Sequence, residues 1–142
     1  YIAKPIDKNE LNNLINKFLN TNTNKRNIDY LKANEVDIDK SLELLGDINT
    51  YNDLVKEFIR TIKDKINDLN RYKNQNDLAN YAILVHSLKS DSRYLGFNRL
   101  ADIALQHELK SKENDITYIQ NNFNLLLNEV KKIIDIMNQY MN

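Results

Sequence analysis

The sequence predicts an all-α protein: an antiparallel four-helix bundle with a short N-terminal lid helix, preceded by an extended stub and one further helix. Three observations lead there. Four long segments carry apolar residues at helical spacing, the loops between them are short, and only two Gly and one Pro interrupt 142 residues. The apolar fraction of 42% can fill such a core.

Taken in order, the chain from Tyr1 reads as an extended stub and an amphipathic helix, and residues 1–19 form one unit. Thr21-Asn-Thr-Asn-Lys-Arg-Asn27 is polar and aperiodic, so residues 20–35 are assigned to a linker, in which Ile28-Asp-Tyr-Leu31 can dock on the bundle. The bundle domain takes residues 36–142. Asp37 or Asp39 caps its short first helix, which stops near Gly46, a good residue just past a helix end. A long helix runs from about Thr50 to Tyr72, with Leu54, Phe58, Ile62, Ile66 and Leu69 as its buried stripe. Asp77 caps the next helix, which reaches Leu95 and is ended by Gly96. Another spans roughly Asn98 to Lys112 with Leu100, Ile103, Ala104 and Leu109 inward. Asp115 caps the last, from Ile116 to about Tyr140, whose stripe is Ile119, Phe123, Leu126, Leu127, Val130, Ile133, Ile134 and Met137. Asparagine is abundant and favours turns and caps over helix interiors, so packing must stabilise these helices more than intrinsic propensity does.

Bulk properties exclude several function classes. With 20 basic and 20 acidic residues the net charge is zero, which gives no footprint for nucleic acid or an anionic membrane. Cysteine is absent, so thiol nucleophiles, thiolate metal sites and disulfides are ruled out. No apolar run approaches the ~20 residues of a membrane helix. There is no Gly-rich phosphate loop and no nucleotide motif.

One helix carries chemistry. In Tyr81-Ala-Ile-Leu-Val-His-Ser-Leu-Lys-Ser-Asp-Ser-Arg-Tyr-Leu-Gly96, a turn of about 100° per residue puts Leu84, Leu88 and Leu95 on one side, with Tyr81 at its margin. His86, Lys89, Ser90 and Arg93 fall on the other side, with the small Ala82 and Ala79 in the preceding turns. A core histidine would point with the leucines, whereas His86 points to solvent between two cations. Imidazole, with an ordinary pKa of roughly 6.5, is nucleophilic near neutral pH. Lys89 and Arg93 would attract an incoming phosphoryl group and offset its charge once bound. A solvated helix face bearing a chance histidine would show the same residue types. Tyr94 lies at the edge of this face, where it either packs locally or meets a partner, and Ile83 lies there too.

His-Ser-Leu-Lys-Ser, followed by Tyr-Leu-Gly at the helix end, resembles the acceptor helix of histidine phosphotransfer (HPt) domains, whose pattern is His-x-Leu-Lys-Gly. Ser90 stands where that pattern has glycine, a departure that keeps the position small. The resemblance extends from about Val36 to the C-terminus: Val36 to Gly46 resembles the short opening helix, Asp47 to Phe58 the start of the next, and Leu100 to Glu108 the helix beside the acceptor. It implies reversible phosphotransfer, with His86 as phosphoacceptor, Lys89 stabilising charge and Arg93 assisting at longer range. A docking surface for receiver domains of response regulators would then include Ala82, Ile83, Ser90 and Tyr94. No cofactor or metal is expected in the domain itself, and Mg²⁺ is expected on the partner receiver. Such a domain is a phosphocarrier without an ATP site, and a monomer is expected.

Tyr1-Ile-Ala-Lys-Pro-Ile-Asp-Lys-Asn-Glu-Leu11 is similar to the last strand, Lys-Pro turn and final helix of a receiver domain, with Lys4 at the lysine that in that family contacts the acyl phosphate. Receiver end followed by HPt domain resembles the C-terminal part of a hybrid sensor histidine kinase, which implies a cytoplasmic position in a membrane-anchored bacterial parent. A regulator lacking a kinase core would present the same order. The competing reading is an interaction module of HPt shape that binds receivers and transfers nothing. His107, the second of two histidines, is expected at the surface or the bundle margin, since no metal-binding spacing accompanies it.

Overall fold

A computed structural model describes residues 27–142, so the expected stub, Lys4 and the helix after it lie outside the described residues. Among the described residues there are six helices and no strand. The first, α1, covers residues 27–33. It is followed by α2 (Ile38–Leu45), α3 (Ile48–Asn74), α4 (Leu78–Leu95), α5 (Asn98–Lys112) and α6 (Ile116–Met141).

Aspartates set the starts of four helices. Asp37, Asp47, Asp77 and Asp115 each accept a hydrogen bond from a backbone N–H one turn into the helix, at Lys40, Thr50, Asn80 and Tyr118. Because Asp47 is the cap, α3 begins at Ile48, earlier than the expected Thr50. Two linkers reuse one device: Asn76 and Asn114 adopt left-handed φ angles of 55° and 58°, directly before the capping Asp77 and Asp115. Asparagine tolerates that region at little cost, which lets each chain reversal take only a few residues.

The long helices close a ring in which α3 packs on α4, α4 on α5, α5 on α6 and α6 on α3. Short α2 lies across α3 and α4 as a lid. The lid is sewn to the exit of α4, where the Asp37 N–H donates to the Gly96 carbonyl at 3.0 Å. The Tyr51 hydroxyl on α3 donates to the Leu95 carbonyl at 2.8 Å, and Phe58 meets Phe97 edge-on. Residues 27–33, which the sequence reading places in a linker, are helical here because Leu31 is fully buried in the core.

Two apolar stripes are rotated from their expected positions. On α3 the core is made by Tyr51, Val55, Phe58, Ile62 and Leu69, while Leu54 is 38% exposed and Ile66 only partly covered. On α5, Leu109 sits about 140° round the helix from the fully buried Ala104 and is 44% exposed. Its expected place inside is taken by His107, Glu108 and Ser111. On α6, Ile119, Phe123, Leu126, Val130, Ile133 and Met137 are buried as expected, with Leu127 and Ile134 half-buried.

Candidate functional site

His86 stands in the middle of α4, with its side chain 57% exposed. The buried face of α4 is built from Leu78, Tyr81, Val85, Leu88 and Leu95, and Leu84 is only half-buried. His86 therefore lies on the outer side of a helix whose position is fixed from within. Its Nδ1 lies 2.7 Å from Oε2 of Glu108 on α5. Lys89 donates to Oε1 of the same carboxylate at 2.6 Å, and Lys112 donates to Oε2 at 3.2 Å.

Glu108 is the hub of this cluster, with only 3% of its side chain exposed. Burial alone would raise its pKa, but hydrogen bonds from Lys89, His86 and Lys112 outweigh burial and hold the carboxyl down at about 2. An ionised carboxylate can only accept, so the bond assigns the proton to Nδ1 of His86. In the neutral ring the lone pair is then on Nε2, which has no hydrogen-bond partner among the described residues. The arrangement presents a nucleophilic nitrogen to solvent, braces the opposite nitrogen with a negative charge, and keeps two ammonium groups within a few ångströms.

Each residue singled out in the sequence has a definite place. Lys89 is not a free cation on an open face: its side chain is only 12% exposed and turned toward α5 by Glu108. Arg93 is exposed and lies two turns on, about 10 Å along the axis from His86, lining a cleft with Lys40, Leu44, Asn98 and Asp102. Ser90 is half-buried. Ala82 is buried, on the flank of α4 that Lys89 shares, and offers a partner little surface. Ile83 and Tyr94 occupy the other flank and are 69% and 50% exposed. Tyr94 also lines a cleft of about 260 Å³ with Leu54, Phe58, Thr61 and Leu95.

Three residues were missed or misplaced by sequence reasoning. Glu108 and Lys112 belong to the cluster, but a charged residue on a single helix reads as solvated until the neighbouring helix is seen. His107 is not at the surface or the margin. It is fully buried, with Nδ1 at 2.8 Å from the Tyr81 hydroxyl and Nε2 at 3.2 Å from the Asn122 carbonyl. Burial pushes its pKa down to about 4, opposed by the Asn122 bond. Two polar partners make the buried imidazole affordable. No cluster of His, Asp and Glu able to hold a metal ion occurs among the described residues.

A family model described as Hpt domain matches residues 53–136, more than half of the chain. The chain belongs to the Hpt domain family. No curated protein and no solved structure matched it. As an Hpt domain the chain takes part in the phosphotransfer of two-component signalling, and Hpt domains interact with receiver domains. The match spans α4 and α5 completely, and so includes His86, Lys89, Glu108 and Lys112. No helix among the described residues is long and apolar enough to cross a membrane.

Proposed function

We propose that this Hpt domain is a phosphorelay intermediate in which His86 takes a phosphoryl group from a receiver aspartate and hands it to another receiver. The observation that carries this is the Glu108–His86 bond, which leaves Nε2 as the free nucleophile on an exposed ring. In the forward step the Nε2 lone pair attacks phosphorus, an N–P bond forms, and the P–O bond to the aspartate breaks with its electron pair. The aspartate leaves as a carboxylate. The proton on Nδ1 stays in place, and the positive charge that develops on the ring faces the Glu108 carboxylate. Lys89 and Lys112, held by the Glu108 carboxylate next to the ring, are the cations that would offset the charge of the new phosphoryl group. Arg93 acts at longer range, guiding the incoming anion. The receiver supplies its own Mg²⁺, and this domain supplies no cofactor.

Receiver docking uses the exposed apolar residues on the flank of α4 away from Glu108, Ile83 and Tyr94, with Ser90 between them and His86, and Ala82 at the opposite rim. The likeness of residues 1–19 to the end of a receiver supports a hybrid sensor histidine kinase as parent, with this part on the cytoplasmic side. The deciding experiment is transfer from a phosphorylated receiver to the chain, with His86→Gln run alongside. Acid-labile label on the native chain and none on the variant is the expected result. Binding of receivers without any label would make the chain a docking module instead.

A further inference from the structure

The contact between Tyr81 and His107 lies beneath the acceptor site, and no step described above uses it. Tyr81 is on α4, five residues before His86, and His107 is the residue before Glu108 on α5. The Asn122 carbonyl on α6 can only accept, so Nε2 of His107 carries the proton. In the neutral ring Nδ1 is then the acceptor, and the Tyr81 hydroxyl must be its donor. The Tyr81 ring also stacks on His107, and Tyr118 of α6 meets it edge-on. Flipping the imidazole would put carbon atoms against both partners. Only one orientation satisfies this buried triad.

We propose that the Tyr81–His107 pair, tied to the Asn122 carbonyl, is a positioning device that sets the rotation of α5 against α4 and thereby holds Glu108 on Nδ1 of His86. Adjacent residues on a helix point about 100° apart, so fixing His107 inward fixes the direction of Glu108 toward the outer edge of α4. A rotation of about 20° moves an atom about 6 Å from the helix axis by about 2 Å. That displacement is enough to break the Glu108–His86 hydrogen bond. Apolar side chains in place of Tyr81 and His107 would fill the same volume but would hold no angular register. One turn on, the buried Ser111 satisfies its hydroxyl within α5, donating to the carbonyls of His107 and Glu108. Where Glu108 drifts from Nδ1, the proton is free to move to Nε2, and the nucleophilic lone pair is lost from the exposed nitrogen.

The inference rests on His86 being the acceptor, and its test separates the two. Nitrogen-15 NMR of the 142-residue chain reads the tautomer of His86, assigned against His86→Gln. The double variant Tyr81→Phe/His107→Leu removes both polar partners and keeps the bulk, and Tyr81→Phe alone removes a single oxygen. Expected are a native His86 dominated by the Nδ1–H form, a mixed tautomer in both variants, and transfer from a phosphorylated receiver slowed about tenfold in the double variant with receiver affinity unchanged. A double variant that keeps the native tautomer and rate overturns the proposal. If that variant does not fold, an unmoved tautomer in Tyr81→Phe overturns it equally. A tautomer shift in a chain that never accepts phosphate would leave the positioning intact and remove the acceptor reading.

Discussion

At the scale of single residues the site is organised by one carboxylate that serves three nitrogens. Glu108→Gln keeps an acceptor for Nδ1 of His86 but loses the charge opposing the ring, whereas Glu108→Ala loses both and strands Lys89, which is almost covered. Transfer is expected to slow by about tenfold for glutamine and about a hundredfold for alanine, read in single-turnover transfer from a receiver. A reversed order would take charge out of the mechanism. The buried groups also make stability depend on pH. With its pKa near 4, His107 refuses in the fold a proton that the unfolded chain takes at 6.5. Stability from this residue is therefore complete above 6.5 and falls as pH drops toward 4, by on the order of 3 kcal/mol. Glu108 acts lower: its contribution is complete above 4.5 and is lost as pH falls toward 2. His107→Gln should flatten the upper window only, in urea unfolding compared at about pH 7 and about pH 5.

At the scale of elements, the exit of α4 is a tight junction. A Cβ on Gly96 would lie 2.7 Å from the Asp37 carbonyl oxygen, and the φ of Gly96 is +83°, so Gly96→Ala suffers both backbone strain and collision. Gly46 has φ +93° but open space around it. Thermal unfolding should show Gly46→Ala costing about 1 kcal/mol and Gly96→Ala clearly more, about 2–4 kcal/mol. Equal losses would mean that the Asp37–Gly96 junction yields easily. Such helix ends were legible in the sequence, because a cap is local: Asp77, Gly96 and Asp115 sit where their chemistry places them. So was the outward direction of His86, since a single helix decides it. The partners of His86 were not legible. Glu108 lies 22 residues away, and which face of α5 meets α4 is set by packing between helices, where periodicity is silent. His107 failed for a related reason: a lone polar residue reads as exposed unless the tyrosine and carbonyl that satisfy it are known to be opposite. Leu54 and Leu109 show the same limit in reverse, being apolar residues left outside while Tyr51 and His107 go in.

At the scale of the molecule, the folded unit is larger than its family signature. The match begins at residue 53, yet Leu31, Val36 and Ile38 are all buried in the same core as α6 and α3. Leu31→Ala should cost about 2–4 kcal/mol, and a chain starting at residue 36 should melt below one starting at residue 27. A coincident melting curve would show α1 to be dispensable. The two histidines of the chain meet opposite fates, one presented to water and the other sealed among three helices. An imidazole-directed reagent such as diethyl pyrocarbonate should therefore label the native fold once, at His86, and a second time only on unfolding. The chain thus carries its own internal standard, a silent histidine against which occupancy of the reactive one can be counted.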